Sequence, residues 1–361
     1  MMDKLKVGVV GVSRGSNYVK NFGLGERSMI GAICDLKQEN LESVAKEWGL
    51  NDQQCYTEYD EFLNADIDAV VIGTPIPFHA EQVVKALKAG KHVFSEVTAA
   101  HSVEGCQAIY DAVKATDRKY MLAENYIYFD YIQQWKKYVD AGRIGNIHYA
   151  EGEYIHDIRG LLIDKESGET FWRTYRPPIH YCTHCLGPIM YLIGNGDYIT
   201  KTTAWGNKNT IQEGLWPSTI DMQVALFETK QGRTIKICRS QVTPREPSLV
   251  TYNIYGTKGS LEASRHGYDG IGYRYFEGSD KANRNTVPMI SNNTAVDAPK
   301  YATGGHGTSD YFIAQAFLDY VQYDKKPYTI VDVAMELTLP GLIAHEAAVQ
   351  GNVWLDVPHF A

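Results

Sequence analysis

LKVGVVG (5–11), MIGAICD (29–35), IDAVVIGTP (67–75), KHVFSE (91–96) and KYMLAEN (119–125) decide the fold of the first third of the chain. Each is a short, nearly continuous apolar run. Between them lie ENLESVAKEW (39–48), FHAEQVVKALKAG (78–90) and SVEGCQAIYDAVKAT (102–116), which have helical periodicity. A strand that is apolar along its whole length is buried on both faces, and helices alternating with such strands supply the cover. The pattern predicts an α/β domain with a parallel sheet over residues 1–125. From YFDYIQQWKKYVDAG (128–142), an amphipathic helix with Gly142 as its cap, the pattern changes. The stretches 145–159, 221–242 and 248–266 alternate like half-buried strands, with KQG and GTKG as turns between them. Residues 126–361 are therefore read as a second α/β domain with a large, mostly antiparallel open sheet. A helix is expected around 180–194, a long polar loop over 278–303, and helices over 309–327 and 331–351, the last returning to the first domain.

A length of 361 residues suits two domains at roughly 100–200 residues each. The net charge is −8, from 43 acids against 35 bases, and no block of Lys and Arg accumulates. Nucleic-acid binding thereby lacks its electrostatic driving force. No apolar run reaches the roughly 18–20 residues of a membrane helix, so no membrane partner is expected. The start, Met1 to Lys6, is charged and short, unlike a secretory signal. Six cysteines, at 34, 55, 106, 182, 185 and 238, read as free thiols in a reducing compartment, and the expected location is cytoplasmic.

Gly8, Gly11 and Gly15 lie in and just after the first strand. A glycine-rich turn from strand to helix lets the backbone approach a pyrophosphate, and the helix N-terminus supplies N–H groups and dipole. From Gly11 the chain reads GVSRGS, with Ser13 and Ser16 at later glycine positions of the dinucleotide fingerprint. Asp35 ends the second strand, 24 residues beyond Gly11. An acid there accepts from both ribose hydroxyls and repels a 2′-phosphate, which favours NAD over NADP. Arg14 is a candidate phosphate contact. Thr74, Pro75 and His79 follow the next strand, where such sheets bind ligands, and are candidate cofactor-shell residues. Glu96 and Asn125 end the following two strands and join that set, with Ser13.

KVGVVG (6–11), GTPIPFHAEQVVKALKAGKHVFSE (73–96) and the sheet-rich second half resemble the Gfo/Idh/MocA oxidoreductase family. The resemblance implies an N-terminal Rossmann domain, a C-terminal α/β domain whose open sheet forms a homodimer or homotetramer face, a nicotinamide cofactor and a sugar-like substrate. Most dehydrogenases of that family carry Glu-Lys-Pro after the KHV strand; here the residues are Glu96, Val97 and Thr98. Valine can neither take a proton nor polarise an alcohol. Those dehydrogenases also place an Asp four residues before a His, where this chain has His180 and His184. SEVTAA (95–100), LAENY (122–126), THCLGP (183–188) and GGHGTSD (304–310) resemble instead the family's NAD-dependent glycosidase branch, known from α-N-acetylgalactosaminidase. Cys182, Cys185 and Thr308 stand where that branch has Pro, Gly and Gly. The resemblance implies glycoside cleavage by transient oxidation at sugar C3, elimination, water addition and re-reduction, with no net redox change.

Imidazole passes protons both ways near neutrality, which makes His184 the first acid/base candidate. Tyr128 is the candidate for C2 proton removal, since the glycosidase branch has a tyrosine at that spacing after LEN; Tyr126 is its rival. His180, one helical turn before His184, and His306, flanked by Gly305 and Gly307, are substrate-binding candidates, with Arg176 and Tyr181. HYCTHC (180–185) offers two imidazoles and two thiols, but adjacent helical positions diverge, so no metal site is expected. Two other functions remain open: an NAD-dependent sugar or polyol dehydrogenase forming a keto sugar, and a non-catalytic NAD(H)-binding regulator.

Overall fold

The computed structural model describes residues 3–163, 167–194, 196–208, 220–265, 271–280, 285–288, 298–302 and 305–360. The chain divides into two compact units. The first comprises Met1–Tyr128, Asn293–Met335 and Phe360–Ala361; the second comprises Phe129–Asn292 and Glu336–His359.

In the first unit, strands β1 (Leu5–Val10), β2 (Ser28–Cys34), β3 (Cys55–Tyr56), β4 (Ala69–Ile72), β5 (His92–Ser95) and β6 (Tyr120–Leu122) form one sheet in the order β3-β2-β1-β4-β5-β6. Every pairing is parallel. All four residues of β4 are buried, as its unbroken apolar run requires. Helices α1 (Val12–Gly23), α2 (Gln38–Trp48), α3 (Tyr59–Phe62), α4 (His79–Lys88) and α5 (Val103–Lys114) connect the strands. Ser102 caps α5 by accepting from the Gly105 N–H at 3.0 Å. Helix α8 (Ser309–Tyr323), far along the chain, supplies Ile313, Ala314, Phe317 and Leu318 to this unit's core. Phe317 lies 5.3 Å from Phe94 and 6.1 Å from Phe22, ring centre to ring centre, in an aromatic cluster that also holds Tyr18. Burying each Phe ring contributes about 1.5–3 kcal/mol, so α8 is structural to the six-stranded sheet.

In the second unit, α6 (Asp130–Asp140) precedes β7 (Ile147–Ile155), and α7 (Thr183–Ile193) precedes β8 (Ile199–Lys208) and β9 (Ile220–Thr229). There follow β10 (Thr234–Ser240), β11 (Leu249–Gly256), β12 (Gly259–Glu262), β13 (Ile271–Phe276), β14 (Asn285–Pro288) and, after helix α9 (Val331–Val349), β15 (Leu355–Asp356). The nine strands run β14-β13-β12-β11-β7-β10-β9-β8-β15. All neighbours are antiparallel except β7 and β10, which pair in parallel near the middle. Helix α7 lies on this sheet where β7 carries Gly152: a Cβ there would stand 3.0 Å from that of Cys185. Of the polar stretch 278–303, residues 285–288 are strand β14, while 281–284, 289–297 and 303 lie outside the described residues.

The helix expected around 180–194 is α7, with a separate turn before it. Pro178–Tyr181 is a 3-10 turn behind Pro177, and α7 starts at Thr183. Pro177 and Pro178 open that turn, at positions whose missing N–H groups would have no intrahelical partner. Pro340, by contrast, sits inside α9 without ending it.

Candidate active site

The first unit carries a dinucleotide cradle. Gly11 follows β1 with φ +78° and is the N-cap of α1. Its N–H donates to the Cys34 carbonyl at 2.8 Å, and the Gly73 N–H donates to the Val10 carbonyl at 2.8 Å, so the ends of β1, β2 and β4 are tied together. A Cβ on Gly11 would lie 2.7 Å from Thr74 N; one on Gly73 would lie 3.1 Å from Gly15 Cα; one on Gly15 would meet Val9 Cγ1 at 2.7 Å. These three glycines let the backbones meet where side chains could not. Helix α1 has no side-chain cap and no acid in its first turn, so its N-terminal dipole faces outward uncompensated by a local carboxylate. Ser13 is exposed at this turn, and its carbonyl accepts from Ser16 Oγ at 3.3 Å. Asp35 Oδ1 accepts from Lys37 N and Asn40 Nδ2, each at 3.0 Å. Its second oxygen makes no hydrogen bond among the described residues and suits a ribose diol. The donors and glycines present fit a bound dinucleotide without a 2′-phosphate.

Thr74 and Pro75 lie half-buried at the end of β4, and Thr74 Oγ1 donates to Gln82 Oε1 at 2.5 Å. His79 is fully buried, with its ring nitrogens 2.8 Å from the carbonyl oxygens of Thr98 and Thr74. Both partners are acceptors, so a neutral ring donates to only one of them, and the imidazole sits beside the cradle next to Thr74. Arg14, read from sequence as a phosphate contact, forms an ion pair at 2.8 Å with Glu96, whose side chain is 6 % exposed.

Asn125, Tyr126, His306 and Asp310 gather in the same unit. Asn125 Nδ2 donates to Asp310 Oδ1 at 2.6 Å. His306 Nδ1 stands 3.4 Å from that same oxygen, at ion-pair range though outside hydrogen-bond alignment. The Tyr126 ring meets the His306 ring at 5.5 Å in a T-shaped contact. Burial pushes the Asp310 carboxyl up, but His306, Asn125 and the charge of Arg14 more than reverse this and hold it below the usual carboxylate value. Tyr128, half-buried, packs against the unit's hydrophobic core.

The second unit sets His184 among rings. It is 2 % exposed on α7, with Tyr181 at 4.9 Å, ring planes perpendicular, and Tyr154 at 5.9 Å. Its carbonyl accepts from Tyr252 Oη at 2.5 Å. Arg176 stacks on Tyr181 at 4.6 Å, and burial together with the neighbouring guanidinium of Arg239 lowers its pKa. Arg239 lies buried over the Tyr154 ring at 4.2 Å, and Tyr154 Oη bonds His156 Nδ1 at 2.8 Å. His180 lies in the 3-10 turn before α7, and its ring meets that of His345 at 5.1 Å, whose imidazole pKa is lowered by burial. Among the described residues no group of three or more His, Cys, Asp or Glu side chains is arranged to hold a metal, and no helix is long and apolar enough to cross a membrane.

Residues 5–124 match the family model described as the oxidoreductase family's NAD-binding Rossmann fold, and residues 136–351 match the model of its C-terminal alpha/beta domain. The chain belongs to the Gfo/Idh/MocA oxidoreductase family. NAD is accordingly its cofactor class, as Asp35 suggested. Among curated members, it is 30 % identical to glycosyl hydrolase family 109 protein 1 of Shewanella sp. (strain MR-4), over 94 % of this chain and 83 % of the relative. It is 29 % identical to an alpha-N-acetylgalactosaminidase of Shewanella oneidensis over the same shares. Solved structures of similar fold include levoglucosan dehydrogenase with NADH and L-sorbose, at TM-score 0.82 and 21 % identity, covering 99 % of this chain and 100 % of that one. Scyllo-inositol dehydrogenase from Lactobacillus casei gives 0.78 and 22 %, with 99 % of each chain covered. These two likenesses show the fold.

Reading the family chain from sequence missed Gly73, Tyr154, His156, Arg239 and Asp310. Gly73 was visible as the residue that ends an apolar strand before Thr-Pro. Tyr154 and His156 had the period-two spacing of one strand face.

Proposed function

We propose that this chain is an NAD-dependent glycoside hydrolase that acts without net redox change. The observation that carries the reading is Val97: a buried apolar side chain, 3 % exposed, follows Glu96 where a dehydrogenase of this resemblance has its lysine. The glycosidase relatives, matched over most of the chain, support it. Gly11, Ser13, Gly15, Asp35, Thr74, Pro75 and Asn125 hold the nucleotide, with Arg14 and Glu96 as a paired charge beside it. When bound, NAD supplies a reversible hydride acceptor for the sugar's C3. The chain's own residues handle the protons. Tyr128, with Tyr126 as its alternative, removes the C2 proton that an adjacent carbonyl acidifies. His184 protonates the departing aglycone oxygen and later deprotonates the incoming water. His180, His306, Arg176 and Tyr181 bind the sugar. The partner is a carbohydrate, the working form a homodimer or homotetramer through the nine-stranded sheet, and the setting cytoplasmic.

The test is product analysis with a panel of α- and β-glycosides, N-acetylhexosaminides included, with catalytic NAD⁺ and absorbance followed at 340 nm. Free sugar released without accumulated NADH is the expected result. Stoichiometric NADH with a keto product would replace the hydrolase by a dehydrogenase, and ligand binding without product would leave a regulator.

A further inference from the structure

We propose that Asp310 is the positioning residue of His306, turning Nδ1 toward a buried carboxylate and Nε2 to the opposite edge of the ring, so that His306 serves as a proton-handling group of the nucleotide-binding unit. The inference rests on the glycosidase reading and gives His306 a role beyond sugar contact.

Three observations carry it. Asp310 is 1 % exposed on the first turn of α8, and its Oδ2 is buried with no hydrogen-bond partner among the described residues. A carboxylate so placed keeps its charge only where cations and donors face it. Those that do are His306 on the loop leading into its own helix, Asn125 on the turn after β6, and Arg14 on α1, which is itself paired with Glu96. Second, the orientation of His306 is fixed from several sides. Its Nδ1 is 3.4 Å from Asp310 Oδ1, the Tyr126 ring abuts it edge-on at 5.5 Å, and its own carbonyl accepts from Ser309 Oγ at 2.7 Å. Third, Asn125 binds the same Asp310 oxygen at 2.6 Å, which locks the carboxylate plane against the turn that also carries Tyr126 and Tyr128. A carboxylate 3.4 Å from Nδ1 favours the Nδ1–H tautomer by its charge, short of an aligned hydrogen bond, and makes Nε2 the basic nitrogen that would take up a sugar hydroxyl's proton and return it.

The test reads the tautomer directly. The full-length protein is labelled with ¹⁵N-histidine, and the His306 signals are assigned by their loss in His306→Gln. Wild type should show the Nδ1–H form at His306, and Asp310→Asn should lose that preference. Sugar release by Asp310→Asn should fall about 10-fold or more in kcat while NAD affinity stays within about twofold. An Nε2–H tautomer in the wild-type protein overturns the proposal whatever the variant does. So does an unchanged tautomer in a folded Asp310→Asn. If wild type shows the expected tautomer and Asp310→Asn loses it, but no glycoside is cleaved, the positioning stands and the glycosidase reading falls.

Discussion

Gly11 and Gly73 meet backbone to backbone: a Cβ on Gly11 would stand 2.7 Å from the Gly73 carbonyl carbon. The two residues follow neighbouring parallel strands, β1 and β4, and their contact closes the floor on which a pyrophosphate would rest.

Gly11→Ala therefore faces two penalties. Its φ of +78° costs an L-residue about 1–2 kcal/mol, and the added methyl strikes rigid backbone. NAD affinity measured by titration calorimetry should drop about 10-fold or more, with a lower melting temperature. Wild-type affinity in this variant would show that the cradle is not the nucleotide site.

Asp35 presents one carboxylate oxygen to Lys37 N and Asn40 Nδ2, which fixes the other as an acceptor. Asp35→Ser removes the charge that repels a 2′-phosphate. The ratio of NADP to NAD affinity should rise by about 10-fold or more; a ratio that does not move assigns the discrimination to another residue.

His184 is enclosed by Tyr181 and Tyr154 and has little room to reorient. His184→Gln preserves much of that volume while removing the imidazole. Sugar release should fall by about 10²–10⁴ in kcat, with NAD binding retained. Full turnover in the variant would exclude His184 from proton transfer.

The acid limb of stability gives a further check. Burial pushes the folded Asp310 carboxyl up, but His306, Asn125 and the charge of Arg14 hold it below the usual carboxylate value. The unfolded chain has a pKa of about 3.9 at such a group. A depressed folded value contributes stability that is complete above the unfolded pKa and is lost as pH falls through the folded one. The melting-temperature difference between wild type and Asp310→Asn should thus be largest above about pH 5 and shrink toward about pH 2. A difference constant across that range would mean Asp310 is not ionised in the folded protein.

Much of this is legible in the sequence. The apolar runs at β1, β4 and β5 and the period-3.6 stretches between them carry their own assignment, because burial on both faces leaves no polar position in a strand. Gly11 and Asp35 announced the cofactor through spacing alone. Strand β8 was harder: its run of threonines and lysine hides a half-covered face. Pro177 and Pro178 mark the start of an ordered turn, but that the first turn is 3-10 and α7 begins only at Thr183 is not written in the four-residue spacing of His180 and His184. The His306–Asp310 spacing was equally visible, but its meaning depends on Asn125, which lies 185 residues away in the chain. Arg239 has no local signature at all, since a buried guanidinium on a strand reads as an ordinary outward-facing cation.

The place of α8 in the first unit sets a timetable for biosynthesis. Ile313, Ala314, Phe317 and Leu318 belong to the same core as Val7, Val9, Val71 and Phe94. The ribosome makes the six parallel strands early, yet the helix that shields part of their surface emerges only after eight strands of the second sheet, β7 to β14, have been translated. At about 5–20 residues per second, the gap lasts roughly ten to forty seconds. A nascent chain arrested before residue 309 should be cleaved readily within the β1–β6 segment, and one arrested well past residue 323 should resist. Until then the aromatic patch around Phe22 and Phe94 waits uncovered, a natural customer for a holdase at the exit tunnel.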